Sequence, residues 1–292
     1  MSSAYTRFLT ASALSRQPSP IRVLTGIQAL AGPELISLAA GAPNPNTFPF
    51  ESITVKINGK SIPIAGKQLN AALQYSPTPG TSNFLGHLRS LQSEIHDFQE
   101  NNHNICVTTG SQDGLGKVME ALISHGDKVL VDTPIYSGTL AALRPLNPDL
   151  IGIKTDGDGL DMADLEEKFA NGIASGAKIL ITVVNGSNPT GGSLSSKRRE
   201  KLLELAEKHD LFIIEDDPYY WLDFQDEKCK SLFKLNQEIG YTENAPDGRV
   251  LRSDSLSKIV SSGLRIGWLT GPKQIIERVI LHQQVSYEPR LK

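Results

Sequence analysis

Lys258 stands among Ser253, Ser255, Ser257, Ser261 and Ser262, with Arg265 seven residues on and Gly263 and Gly267 beside it. An amine flanked by hydroxyls and a guanidinium suits a phosphorylated aldehyde: the amine forms an imine, while the hydroxyls and the guanidinium hold the phosphate. Pyridoxal phosphate is such a molecule. Taken alone, Ser-x-Ser-Lys is more often a solvated lysine in a serine-rich loop. The rest of the chain has to decide between the two.

A second chemical signal is Ile213-Ile214-Glu215-Asp216-Asp217-Pro218-Tyr219. A carboxylate at the end of an apolar strand bears a large desolvation cost unless a cation meets it. A protonated pyridine nitrogen is one such cation, and Asp216 beside it would keep the ring an electron sink. Tyr219, three residues on, is placed to reach a phenolic oxygen of that ring. A metal ligand or a helix cap accounts for the acidic run equally well. Gly110-Ser111-Gln112 offers a hydroxyl and backbone amides where a helix begins, which suits phosphate or an ordinary cap. The turn at Tyr136 can present a flat ring, or simply pack an aromatic beneath a loop. The turn Asn185–Gly192 can aim the Asn188 amide at an oxygen, though Asn, Pro and Gly are common turn formers.

These candidates need elements that carry them to one place. Short apolar runs recur at 105–109, 128–132, 150–154, 178–184, 211–216, 249–252 and 265–269. They read as strands. Between them, Ser111–Ser124 sets Leu115, Val118, Met119, Leu122 and Ile123 on one helical face. Lys197–His209 does the same with Leu202, Leu205 and Ala206, and Ser195 or Ser196 can cap it. Alternation of this kind predicts an α/β fold, a mostly parallel seven-stranded sheet with helices on both faces. Ligands then sit at the carboxyl ends of the strands, where the candidates fall.

Composition narrows the classes. With 292 residues, 39% of them hydrophobic and a net charge of −3, the chain has the makings of a large core and no basic field for nucleic acid. No apolar run approaches the roughly 20 residues that cross a bilayer. Two cysteines, Cys106 and Cys229, do not suggest a disulfide framework, and six scattered histidines suggest no metal site. No glycine-rich dinucleotide or triphosphate loop follows the first strand. Residues 1–22 carry Arg7, Arg16 and Arg22 and no acid, which fits a mitochondrial transit segment or an arm packed on the domain. The compartment is therefore read as mitochondrial, with cytoplasmic the alternative. Ser19-Pro20-Ile21-Arg22 reads as an ordered turn, and 36–46 as a short strand entering a Gly/Pro loop.

In order and spacing, Tyr75-Ser76-Pro77-Thr78-Pro79-Gly80, Gly110-Ser111-Gln112, Pro134-Ile135-Tyr136, Asn188-Pro189-Thr190-Gly191, Asp216-Asp217-Pro218-Tyr219 and Ser255-Leu256-Ser257-Lys258 with Arg265 resemble a fold-type-I pyridoxal phosphate aminotransferase. Ser19–Arg22, Ser37–Gly41, Pro43–Asn46 and Ser257–Arg265 are similar to the kynurenine/2-aminoadipate branch. The resemblance implies that Lys258 is the catalytic lysine, holding the cofactor and shuttling a proton. It implies that Asp216 meets the pyridine nitrogen, that Asn188 and Tyr219 bind the phenolic oxygen, and that Tyr136 stacks on the ring. Ser111, Gln112, Ser255, Ser257 and Arg265 would hold the phosphate. Tyr75 would reach the phosphate of a neighbouring subunit, which implies a homodimer. Arg22, Gly41, Tyr75 and Asn188 would face the substrate.

The implied reaction is a ping-pong transfer of an amino group from a kynurenine-like or 2-aminoadipate-like donor to 2-oxoglutarate. The implied organisation is an N-terminal arm and substrate-side segment over 1–45 and a cofactor-binding large domain over 46–292. Family members continue into a small C-terminal domain whose arginine clamps the substrate carboxylate. Here Tyr287–Lys292 no longer resembles the family, and Arg290 is not in the matching context. The expectation is a chain that lacks most of that domain. A cofactor-binding form without turnover, or a β-lyase of the same fold, are the alternatives.

Overall fold

The computed structural model describes residues 3–31, 34–36, 41–225 and 227–286. Residues 37–40 of the N-terminal motif, and Arg290 with the rest of 287–292, lie outside the described residues. In chain order the strands are β1 (Ser52–Ile57), β2 (Lys60–Ala65), β3 (His103–Thr108), β4 (Lys128–Thr133), β5 (Asp149–Asp156), β6 (Gly159–Leu160), β7 (Ile179–Val183), β8 (Phe212–Asp216), β9 (Val250–Ser255) and β10 (Gly267–Pro272). The helices are α1 (Ala11–Ser15), α2 (Pro20–Leu30), α3 (Gly66–Leu73), α4 (Ser82–His96), α5 (Ser111–Leu122), α6 (Ser137–Leu143), α7 (Met162–Ala170), α8 (Ser196–Lys208), α9 (Leu232–Ile239) and α10 (Lys273–Ser286).

The main sheet runs β3-β10-β9-β8-β7-β4-β5-β6. All seven expected strands are in it, and an eighth, the two-residue β6, folds back antiparallel on β5. From β9 to β5 neighbours are parallel, whereas β10 is antiparallel to both β3 and β9. Alternation along the strands explains the two covered faces. Leu130, Leu180 and Ile213 join the core beneath α7, α8 and α9. Their neighbours Val129, Val131, Ile179, Ile181, Phe212 and Ile214 join the core shared with α5 and α10. Gly114 lets α5 lie close on the sheet, since a Cβ there would come within 3.1 Å of the Leu269 side chain.

Several boundaries differ from the sequence expectation. Ser19–Arg22 is not a turn but the start of α2, with Pro20 at its first position, where a missing N–H costs nothing. Ser195 occupies the cap position of α8, but its side chain makes no capping bond. The last strand starts at Gly267 rather than Arg265, because Arg265 adopts a left-handed backbone (φ 52°) that ends the preceding turn. The hairpin β1-β2 gave no alternation in burial to find, since Ser52–Ile57 is exposed throughout. At the N-terminus, Tyr5 and Phe8 pack on Phe212 and the Tyr5 hydroxyl donates to Gly248 O (2.8 Å), so residues 3–8 form a packed arm. No helix among the described residues is long and apolar enough to cross a membrane.

Candidate active site

Three turns at one end of the sheet converge because β10 lies between β3 and β9. Gly110, with φ 80°, ends the turn after β3, and Ser111 is the first residue of α5 rather than its cap. A Cβ on Gly267 would stand 2.5 Å from Ser111 N and 2.7 Å from Gly110 C, so the start of β10 is pressed against the start of α5. A Cβ on Gly110 would fall within 2.8 Å of Arg265 Cζ, which places the guanidinium directly over that glycine. Arg265 Nη1 donates to Ser257 Oγ (3.2 Å) and Ser262 O (2.9 Å), and Ser257 N donates to Ser255 Oγ (3.1 Å). Ser111, Ser255, Ser257 and Arg265 therefore surround one glycine-lined recess at a helix N-terminus. That is a donor set for a phosphate.

Gln112 and Tyr136 border the same recess. Gln112 Nε2 donates to Gly138 O (2.9 Å), and a Cβ on Gly138 would lie 2.4 Å from Tyr136 Cε1 and 2.8 Å from Gln112 Oε1. On the other flank the Lys258 amine sits 5.7 Å from the centroid of the Tyr219 ring. Tyr219 Cβ is 3.9 Å from where a Cβ on Gly186 would be, which sets the turn after β7 beside the turn after β8. Asn188 is exposed on that turn.

The acidic run at the end of β8 divides into three different tasks. Glu215 accepts from Leu232 N (2.8 Å) and Phe233 N (3.1 Å), capping α9. Asp217 accepts from Arg252 Nη1 and Asn185 Nδ2, both at 2.8 Å. Asp216, 4% exposed, keeps Oδ1 with no hydrogen-bond partner. No cluster able to hold a metal ion occurs among the described residues, so the cap reading applies to Glu215 alone. Burial first, then the neighbouring Asp217 and Asp254, pushes the Asp216 carboxyl up to about 7. An orphaned buried carboxylate, a free amine and a phosphate recess together fit pyridoxal 5'-phosphate.

Arg22, Gly41 and Tyr75 meet elsewhere. They line a cavity of about 580 Å³ with Gln74, Thr78 and Gln284, and no residue of the Lys258 group lines it among the described residues. Ser19 N donates to Gln284 Oε1 (2.8 Å), which fixes the start of α2 against α10. Sequence reasoning missed Arg252, Asp254, Asp217 and Asn185. The signal was there for Arg252: three consecutive acids closing a buried strand require a buried cation nearby.

The sequence profile described as Aminotransferase class I and II matches residues 33–287. The chain belongs to this aminotransferase family. It is 43% identical over 298 residues to the mitochondrial kynurenine/alpha-aminoadipate aminotransferase of Bos taurus, covering 97% of this chain and 68% of that one. Among solved structures, Aro8 from Candida albicans superposes with a TM-score of 0.85 at 27% identity, covering 96% of this aminotransferase and 66% of that chain. LysN, an alpha-aminoadipate aminotransferase from Thermus thermophilus complexed with N-(5'-phosphopyridoxyl)-L-leucine, matches with a TM-score of 0.65 at 29% identity, over 75% of this chain and 53% of that one. The aminotransferase described here thus spans about two thirds of the first two relatives' length.

Proposed function

We propose that this chain carries the cofactor site of an aminotransferase that takes an amino group from a kynurenine-like or 2-aminoadipate-like donor and passes it to 2-oxoglutarate in ping-pong order. The observation that carries the reading is Asp216, buried without a partner for Oδ1, in a site that also presents Lys258 and the Arg265 recess. When bound, pyridoxal phosphate supplies an aldehyde for the amine and a ring that accepts the electron pair left when the substrate α-proton departs. Asp216 would hold the proton on the ring nitrogen. Asn188 and Tyr219 would donate to the phenolic oxygen, and Tyr136 would lie against the ring face. Ser111, Gln112, Ser255, Ser257 and Arg265 hold the phosphate. Lys258 would serve as the positioned base for the substrate α-proton.

Arg22 offers a cation to a distal carboxylate or carbonyl in the cavity that it shares with Gly41. Tyr75 is 51% exposed on that cavity wall, which supports its serving the phosphate of a second subunit in a homodimer. A mitochondrial location is supported by the name of the cattle relative. The test is the absorbance spectrum of the purified protein with pyridoxal phosphate, before and after 2-aminoadipate, alongside Lys258→Ala. A visible band absent from Lys258→Ala and bleached by 2-aminoadipate in the parent supports the reading. A band that never bleaches would leave cofactor binding without transfer, and no band would remove Lys258 from its role.

A further inference from the structure

Behind Asp216 lies a buried ionic cluster built on Arg252. Register pairs Glu215 with Arg252 and Asp216 with Ser253, so Glu215 and Arg252 share one face of the sheet and Asp216 takes the other. Arg252, with no exposed surface, grips Asp254 through Nε (3.0 Å) and Nη2 (2.8 Å), while Nη1 meets Asp217 at 2.8 Å and Glu215 at 3.4 Å. Arg199, equally buried, spends its donors on neutral oxygens: Leu194 O (2.7 Å), Lys230 O (2.8 Å), Val184 O (3.2 Å) and Asn185 Oδ1 (2.6 Å). The remaining walls bring two amines near, Lys228 at 5.2 Å from the Tyr220 ring centroid and Lys234 paired with Asp97, and neither contacts these carboxylates. Gln92 donates to Asp254 (3.3 Å), the Tyr220 ring faces the Arg252 guanidinium at 5.0 Å, and His96 packs on Tyr220 and is held neutral by its burial.

Four carboxylates, Glu215, Asp216, Asp217 and Asp254, therefore lie beside two guanidiniums, and among the described residues only Arg252 forms an ion pair with any of them. A cluster left with surplus negative charge attracts a further cation; Asp216 and Asp217 each keep an Oδ1 without a hydrogen-bond partner, and of the two Asp216 is the one that no guanidinium contacts among the described residues. We propose that Arg252 is a positioning residue which holds Asp217 and Asp254 behind Asp216, and that their surplus charge keeps the cofactor's ring nitrogen protonated. The proposal rests on the cofactor reading above. It assigns the ring's charge state to residues that never touch the cofactor.

The test uses the cofactor-loaded protein and two probes. One is the 15N resonance of pyridoxal phosphate labelled at the ring nitrogen. The other is competition between pyridoxal phosphate and its analogue with carbon in place of that nitrogen. Asp217→Asn keeps the shape and removes one charge. It should cut the preference for the nitrogen-bearing cofactor by about tenfold, equivalent to one pKa unit, and move the 15N resonance toward neutral pyridine. Asp254→Asn, which leaves Asp217 paired to Arg252, should act in the same direction and decides the matter if Asp217→Asn fails to fold. Variants that fold yet leave both resonance and preference at parent values would overturn the proposal and make the cluster a structural one. A parent protein that shows no preference would overturn the cofactor reading as well.

Discussion

Asp216→Asn should make the cofactor-free protein more stable at neutral pH than at acid pH relative to the parent, contrary to the usual effect of deleting a buried charge. Burial, and then Asp217 and Asp254, raise the Asp216 carboxyl from 3.8 to about 7. The folded state therefore holds its proton more tightly than the unfolded chain does. The stability this gives is fully present below about pH 4 and is lost as pH rises through about 7. The whole span is worth roughly 4 kcal/mol at 1.36 kcal/mol per pKa unit. Between about pH 5 and pH 8 the parent should lose roughly 3 kcal/mol that Asp216→Asn keeps. Asp132, raised to about 6 by burial, adds a similar slope to both proteins and cancels in the difference. The assay is urea unfolding of both proteins at several pH values. Saturating the parent with pyridoxal phosphate should flatten its profile, because a cation then meets the carboxylate. Parallel pH profiles for parent and variant, without cofactor, would refute the reasoning.

Gly267→Ala would drive a Cβ against the backbone of Ser111, Gly110 and Asp254. It should cost about 1–3 kcal/mol in thermal unfolding experiments and weaken cofactor affinity, since the recess is built on that contact. Arg265→Lys keeps the charge but loses the planar fork, and it should weaken pyridoxal phosphate binding about tenfold while leaving unphosphorylated pyridoxal unaffected, as fluorescence titration would show.

Much of this arrangement was legible in the sequence, and the reasons differ by element. Strands such as Lys128–Thr133 and Phe212–Asp216 each hold an unbroken apolar stretch, Val129–Val131 and Phe212–Ile214, because both faces are covered, and such runs announce themselves. The residues around Lys258 were ambiguous on their own, since Ser-x-Ser-Lys is more often a solvated loop, and only the series of motifs in order gave them a chemical reading. Strand β9 was cut short at Arg252, since Arg252-Ser253-Asp254 has the composition of a loop, and only its cross-strand partners reveal a buried ionic layer. The hairpin Ser52–Ala65 is exposed almost throughout, so no core pattern marked it. The left-handed turn at Arg265 left no signal in residue type, because a glycine would be expected there and Gly263 and Gly267 flank it instead.

The position of β10 has a consequence for how the chain comes off the ribosome. Thr108 pairs with Gly267, so β3 awaits a partner that is made roughly 160 residues later. At about 5–20 residues per second, that delay lasts roughly 10–30 s. Throughout it Ile105, Cys106 and Val107, fully buried in the finished fold, have no strand beside them. The recess between Gly110 and Gly267 cannot exist until β10 inserts. With the phosphate in that recess as proposed, cofactor capture would come among the last events of folding, and the nascent chain carries a bare β-edge that holdase chaperones are suited to shield.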